Sequence, residues 1–277
     1  MGTYCEVISD DPRAAKIAFS EIKRLEKLLN RFDPNSEVGQ LNRLGKLKVS
    51  GDTLKVIKKS RLAFNKSSGA FDITVAPSVE VWRQAKQNNK LPDARAIRTA
   101  RDLINSQNLL IDENNRIVSF VKPKMQIDLG GIAKGYAVDC AIKKLQEAGV
   151  KSALVNLGGN MYALGSRAGK SWKIGIRHPR QKRKLMGEIF LTDRGVSTSG
   201  DYEQYFTLQG RRYSHIINPK TGSPVDNEVV SVTVLAPDAA TADFLSTAIL
   251  VLGKAKGRKL AESFPNTQAV IISRDDL

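Results

Sequence analysis

The chain carries little of what would brace it covalently or anchor it. Two cysteines in 277 residues are too few and too far apart for a disulfide framework. Cys5 shares a strand face with Val7, and Cys140 falls on the apolar stripe of a helix, so both read as small buried hydrophobes. No apolar run is long enough for a membrane helix, and no signal-peptide pattern opens the chain. Aromatics make up only 6% of residues. Single-strand binders interleave aromatic and basic side chains on one platform, whereas here the bases ride helix faces, as at Lys55, Lys58, Lys59 and Arg61. Nucleic acid is therefore not expected as a partner, despite 44 Lys and Arg against 28 Asp and Glu and a net charge of +16. Repeats, low-complexity tracts and Pro/Gly/Ser linkers are also missing, so residues 1–277 read as a single domain. A basic arm or insertion near 86–101 is expected to be mobile.

What is present is periodicity of two kinds. Helical stripes run over Pro12 to Asn30, Asp52 to Ser67, Gly131 to Ala148 and Asp238 to Leu252. Short strands are expected at Tyr4 to Ile8, Ile117 to Val121, Ala153 to Asn156, Lys173 to Ile176, Gly187 to Thr192 and Val229 to Ala236. Many of these strands follow one another without a helix between them, which favours an α+β fold with largely antiparallel sheets over a doubly wound one.

Three segments carry chemistry. In Ala242-Asp243-Phe244-Leu245-Ser246-Thr247-Ala248, an acid and two hydroxyls stand at i, i+3 and i+4 on one face of an apolar helix. Such hard oxygens suit magnesium better than zinc; the plainer alternative is an N-capping acid with hydroxyls bonded back to the helix. Met125 to Asp139 reads as a strand entering a helix through Gly130-Gly131, with Lys134 in the first turn. Free N–H groups and a lysine there outline an anion site, although a Gly-Gly turn is equally ordinary strand-to-helix geometry. The segment lacks a P-loop tail, and the chain has no Gly-x-Gly-x-x-Gly run. The third segment is Ser197-Thr198-Ser199-Gly200-Asp201-Tyr202-Glu203, followed by His215 before the turn residues Asn218-Pro219-Lys220-Thr221-Gly222. Hydroxyls after a strand can hold a ligand's polar edge. A lone histidine is more often structural than catalytic. The other histidine, His178, sits in the basic run Arg177 to Lys184 and reads as surface loop.

With Met1-Gly2-Thr3, Pro34-Asn35-Ser36-Glu37-Val38 and Ser68-Gly69-Ala70-Phe71-Asp72-Ile73-Thr74-Val75, these segments closely resemble, in order, the ApbE-type flavin transferases, over Met1 to about Ile272. The resemblance implies an ApbE-like, T-fold-like architecture. It also implies FAD as donor substrate, Mg2+ as metal, and a threonine or serine hydroxyl of an acceptor flavoprotein, such as a redox-pump subunit, as target. Carried over residue by residue, it makes Asp243, Thr247, Ser246 and the main-chain carbonyl of Gly131 metal ligands. Met1, Phe32, Ala70, Phe71, Asp72, Asp128, Lys134 and Ile217 fall where the family contacts FAD, and His215 falls at the position proposed to assist proton removal. Water in place of the hydroxyl would give FMN and AMP, so FAD hydrolysis is the alternative activity; passive flavin or polyanion binding is a second. The net charge then reads as FAD capture, attraction to an anionic membrane surface or solubility. Because many relatives are exported lipoproteins, the expected location is the periplasm or the outer face of the inner membrane, with the cytoplasm as the other option.

Overall fold

The computed structural model describes residues 2–181, 183–202 and 205–277; Met1, implied above to contact FAD, lies outside the described residues. In chain order, β1 (Cys5–Ile8) leads into α1 (Ala14–Leu29) and α2 (Glu37–Leu44), then β2 (Lys46–Lys48) and α3 (Gly51–Lys66). A 3-10 turn at Ile73–Val75 opens α4 (Ala76–Gln87), and α5 (Ala94–Arg101) precedes the hairpin of β3 (Leu109–Asp112) and β4 (Ile117–Phe120). Next come α6 (Ala133–Glu147), β5 (Ala153–Leu157), β6 (Asn160–Leu164), β7 (Trp172–Arg177), β8 (Leu185–Leu191) and β9 (Arg194–Gly200). Two small hairpins pair β10 (Tyr205–Leu208) with β11 (Arg211–Ser214) and β12 (Ile217–Asn218) with β13 (Ser223–Pro224). The order ends with β14 (Val229–Ala236), α7 (Ala239–Leu252), α8 (Lys254–Glu262) and β15 (Gln268–Ser273).

The α+β expectation holds. Six strands lie in the order β1-β5-β6-β9-β14-β15, every neighbouring pair antiparallel. Alternate residues point to opposite faces of a strand, and here both faces are covered. On one, Val155, Leu157, Val232 and Val234 join Leu145, Phe244 and Leu245 from the helices. On the other, Leu154, Ala163, Val196 and Leu235 lie under Trp172 and Leu191 of the β7–β8 hairpin. That double cover is why β14, Val-Val-Ser-Val-Thr-Val-Leu-Ala, is buried along its whole length and reads as a continuous run instead of an alternation.

Helix α7 is the centre of the helical layer. Its N-cap is Asp238, whose carboxylate accepts the Thr241 N–H at 2.8 Å, and Gly253 ends it at a φ of +81° that an L side chain resists. Burying a side chain such as Phe244 contributes about 1.5–3 kcal/mol. Helix α6 crosses α7 so closely that a Cβ on Gly135 would stand 2.3 Å from the Ala239 carbonyl oxygen. Only glycine permits that approach.

In four places the structure adds to or departs from the sequence expectations. Met125–Leu129 is extended but joins no sheet: the Asn42 side chain takes the Ile127 N–H at 2.7 Å and donates to its carbonyl at 2.9 Å, and Ile73 accepts the Asp128 N–H. A side chain has replaced a neighbouring strand. Helix α4 is not among the helical stripes expected above; its Pro77 sits in the first turn, where the missing N–H costs nothing. The basic stretch 86–101 folds as the end of α4, a turn, and α5, with Ile97 packed beside Trp82. His178 is not a surface loop residue. It is 7% exposed, and its Nδ1 accepts the N–H groups of Arg180 and Gln181, both at 3.1 Å. Arg180 in turn forks onto Asp201 at 2.8 and 2.7 Å, so this basic loop is pinned to the end of β9.

Candidate active site

Asp243, Ser246 and Thr247 share the face of α7 that meets β9 and the start of α6. Because Asp238 caps the helix, Asp243 is released from that task and lies one turn inside, 3% exposed. The Gly135 N–H donates to its Oδ2 at 2.9 Å, while Oδ1 makes no hydrogen bond among the described residues. Burial pushes its carboxyl above the ordinary range, against the pull of the Lys134 charge and the Gly135 N–H. Ser246 keeps part of the plainer role, donating back to the Asp243 carbonyl at 2.9 Å, and its hydroxyl also meets Ser199 Oγ at 2.8 Å. Ser199 reaches Thr247 Oγ1 at 3.4 Å, and Ser197 donates to Asn160 Oδ1 at 2.7 Å. The hydroxyl-rich residues of β9 thus line the same face from the sheet side.

The Gly-Gly turn completes this wall. A Cβ on Gly131 would stand 2.9 Å from the Phe71 ring and 3.4 Å from Thr247 Oγ1, so the turn lies directly against the metal-ligand candidates. Lys134 opens α6 and donates to the Gly130 carbonyl at 2.8 Å, half-buried and close enough to act on Asp243. Phe71 and Ala70 are buried, with Phe71 5.8 Å from Phe244 between ring centroids, so Phe71 forms the floor of the turn.

The remaining candidates divide. Asp128 accepts the Gly130 N–H at 2.8 Å and lies 2.9 Å from Arg31 Nε, next to the exposed ring of Phe32. Asp72 spends its oxygens inside the fold, accepting from the N–H and hydroxyl of both Thr74 and Ser106. Its visible work is to tie the 3-10 turn to the segment before β3. Ile217 is buried with Trp82 and Leu208, and Trp82 Nε1 donates to the Gly222 carbonyl at 3.0 Å. His215, two residues earlier, is exposed on the link between β11 and β12. Ile216, between His215 and Ile217, packs into the hydrophobic core that includes α7, whereas Ile217 packs with Trp82 of α4. A cleft of about 1330 Å³ between α2, β4, α4 and α5 contains none of these candidates, and its edge at Gln126 stops two residues short of Asp128.

Sequence reasoning passed over Arg31 and Asp139. Asp139 accepts the Ala239 and Ala240 N–H groups at 2.7 and 2.9 Å and so holds the start of α7 from α6. Burial raises its carboxyl pKa, the Asp238 charge adds to this, and the two N–H groups and Lys59 oppose it. A carboxyl raised in the fold takes up a proton on folding, so its contribution is greatest below the ordinary Asp value and declines as pH rises through the raised one. The stability of the wild type relative to Asp139→Asn should therefore fall in a thermal series as pH rises from the ordinary Asp value of ~3.9 through the raised value of about 7. A difference flat in pH would remove this account.

The donor set decides which metal the α7 face suits. Among the described residues no three His, Cys, Asp or Glu side chains gather as a metal cluster, whereas one free carboxylate oxygen, a hydroxyl and a main-chain carbonyl are what magnesium accepts when phosphates and water complete its shell. Asp243, Thr247 and Gly131 fit that role. Ser246, already bonded to Asp243 and Ser199, fits it less well.

The model of the ApbE family matches residues 1–272. A FAD:protein FMN transferase of Klebsiella pneumoniae is 33% identical over 98% of this chain and 85% of its own length. One from Vibrio cholerae is 34% identical over 95% and 81%. Among solved structures, the ApbE protein of Thermotoga maritima superposes with a TM-score of 0.90 at 35% identity, covering 99% of this chain and 92% of that one. The flavin transferase ApbE of Vibrio cholerae gives 0.88 at 31%, covering 99% and 91%.

Proposed function

The chain belongs to the ApbE family, and on that premise we propose that it is an FAD:protein FMN transferase. It moves the FMN half of FAD onto a threonine or serine hydroxyl of an acceptor flavoprotein, releases AMP and requires Mg2+. The observation that carries this reading is the meeting of Asp243 and Thr247 on α7 with the Gly130-Gly131 turn and Lys134 at the start of α6.

The transfer forms a bond from the acceptor oxygen to the FMN phosphorus and breaks the bond from that phosphorus to the bridging oxygen, which leaves with AMP. Mg2+, when bound, would neutralise diphosphate charge. Lys134 and the N–H groups at the start of α6 favour the anionic diphosphate by position alone. Phe71 and Ala70 keep water from the floor of the turn. His215, exposed where an acceptor could approach, takes the proton that the hydroxyl gives up. Little covalent chemistry is asked of the protein; alignment and charge do the work.

Incubation with FAD, Mg2+ and a threonine-bearing acceptor should yield an FMN adduct on the acceptor and an equal amount of AMP, both read by mass spectrometry. Free FMN and AMP without an adduct would make the protein a FAD pyrophosphatase. Tight duplex DNA binding at physiological salt with no affinity for FAD would sink the enzyme reading, since nonspecific nucleic-acid binding weakens steeply with salt. We place the reaction in the periplasm or at the outer face of the inner membrane. Its support is the net charge of +16, which favours an anionic lipid surface; cell fractionation decides it. Among the described residues no helix is long and apolar enough to cross a membrane.

A further inference from the structure

Arg31 has no part in the site as built so far, yet its surroundings are unusual for an arginine. Helix α1 stops at Leu29, and Asn30 locks the chain beyond it: its Oδ1 accepts the Phe32 N–H at 3.1 Å and its carbonyl accepts the Ser36 hydroxyl at 2.6 Å. The turn leaves Phe32 70% exposed and folds Arg31 inward. The Arg31 side chain is only 9% exposed, with its guanidinium 4.3 Å from the Phe32 ring centroid. Nε stands 2.9 Å from Asp128 Oδ2 as an ion pair, but neither it nor Nη2 has a hydrogen-bond acceptor among the described residues.

Buried donors of a charged group are costly to leave unpaired, and native structures rarely do so outside functional sites. No nearby acid answers the need. Glu80, whose carboxyl feels the Arg31 charge, is already taken by Arg83 and Gln84. Asp128 cannot turn freely to serve Nη2, because its Oδ1 holds the Gly130 N–H and its own N–H is bound to the Ile73 carbonyl. Two fixed elements therefore present a donor, Nη2, beside an acceptor, Oδ2, under an aromatic cover with little holding it.

This pair is neutral overall, so it suits a neutral edge of alternating donors and acceptors better than a phosphate. We propose that Arg31 and Asp128 together read the pyrimidine edge of the flavin ring. Nη2 donates to a ring carbonyl oxygen, and the Asp128 carboxylate accepts the adjacent ring N–H. Phe32, held mainly by its contact with the guanidinium, swings aside for the larger flavin or stacks upon it. Arg31 is on this account a specificity residue: it rewards a dinucleotide for its flavin, and it ignores one that offers only an ADP half.

The inference rests on the flavin transferase reading, and its test separates the two. Dissociation constants for FAD and for ADP-ribose are measured by calorimetry on the wild type, Arg31→Ala and Arg31→Lys, with melting temperature alongside. Arg31→Ala should weaken FAD about 10- to 100-fold and leave ADP-ribose within about twofold. Arg31→Lys keeps the charge without the planar fork and should recover only part of the preference. Equal weakening of both ligands would assign Arg31 to the diphosphate and overturn the proposal. So would unchanged affinity for both, which would leave an ion pair of purely structural value. If Arg31→Ala does not fold, the FAD to ADP-ribose ratio in Arg31→Lys decides the question. A wild type that binds no FAD would sink the transferase reading itself.

Discussion

Asp243→Asn is expected to abolish FAD turnover, by about 10³-fold or more, while the protein stays folded. The amide keeps an oxygen to accept the Gly135 N–H, now donated to Asp243 Oδ2 at 2.9 Å, but it removes the only acid on the α7 face. A metal bridge to a diphosphate is worth several kcal/mol of charge stabilisation, and each ~1.4 kcal/mol is tenfold in rate. Calorimetry should find Mg2+ binding lost in the same variant. The pH dependence follows from burial, which holds the carboxyl above its ordinary range. A raised acid favours the metal-free fold when protonated, so the wild type should lose stability relative to Asp243→Asn as pH rises through the raised value. Protons compete with metal for the same oxygen, so wild-type Mg2+ affinity should climb over that interval. Undiminished turnover at low Mg2+ in Asp243→Asn would remove the residue from the metal site.

His215→Ala should cost about 10²-fold or more in FMN transfer with little change in stability. Its side chain is exposed on the link between β11 and β12, and exposed substitutions stay within about 0.5 kcal/mol when they break no buried contact. The buried neighbours Ser214, Ile216 and Ile217 anchor that link. FAD and Mg2+ binding should persist, since the candidate Mg2+ ligands and Lys134 lie on the α6 and α7 wall. A lowered melting temperature with near-normal specific activity would make His215 structural. The better comparison is His178, which is buried and gathers two loop N–H groups; replacing it should show the opposite pattern.

The sequence by itself was enough for α7 and its three oxygen-bearing residues, because helical spacing alone sets i, i+3 and i+4 on one face. It was enough for the antiparallel α+β class, and for β14, whose predicted limits Val229 to Ala236 are those observed. It was also enough for the Gly130-Gly131 turn before α6. These are local facts, written in neighbouring residues. Tertiary structure alone decided that Asp238 and not Asp243 caps α7, since both are acids near one helix start and only the chain's entry angle separates them. It decided that Asn42, from 85 residues away, replaces a strand beside Ile127. It turned His178 inward and Arg31 beneath Phe32, where a basic residue in a loop would ordinarily face water. Spacing along the chain has no record of such meetings: they exist because separate elements bury their apolar faces against one sheet, and whatever polar groups are carried along must find partners there.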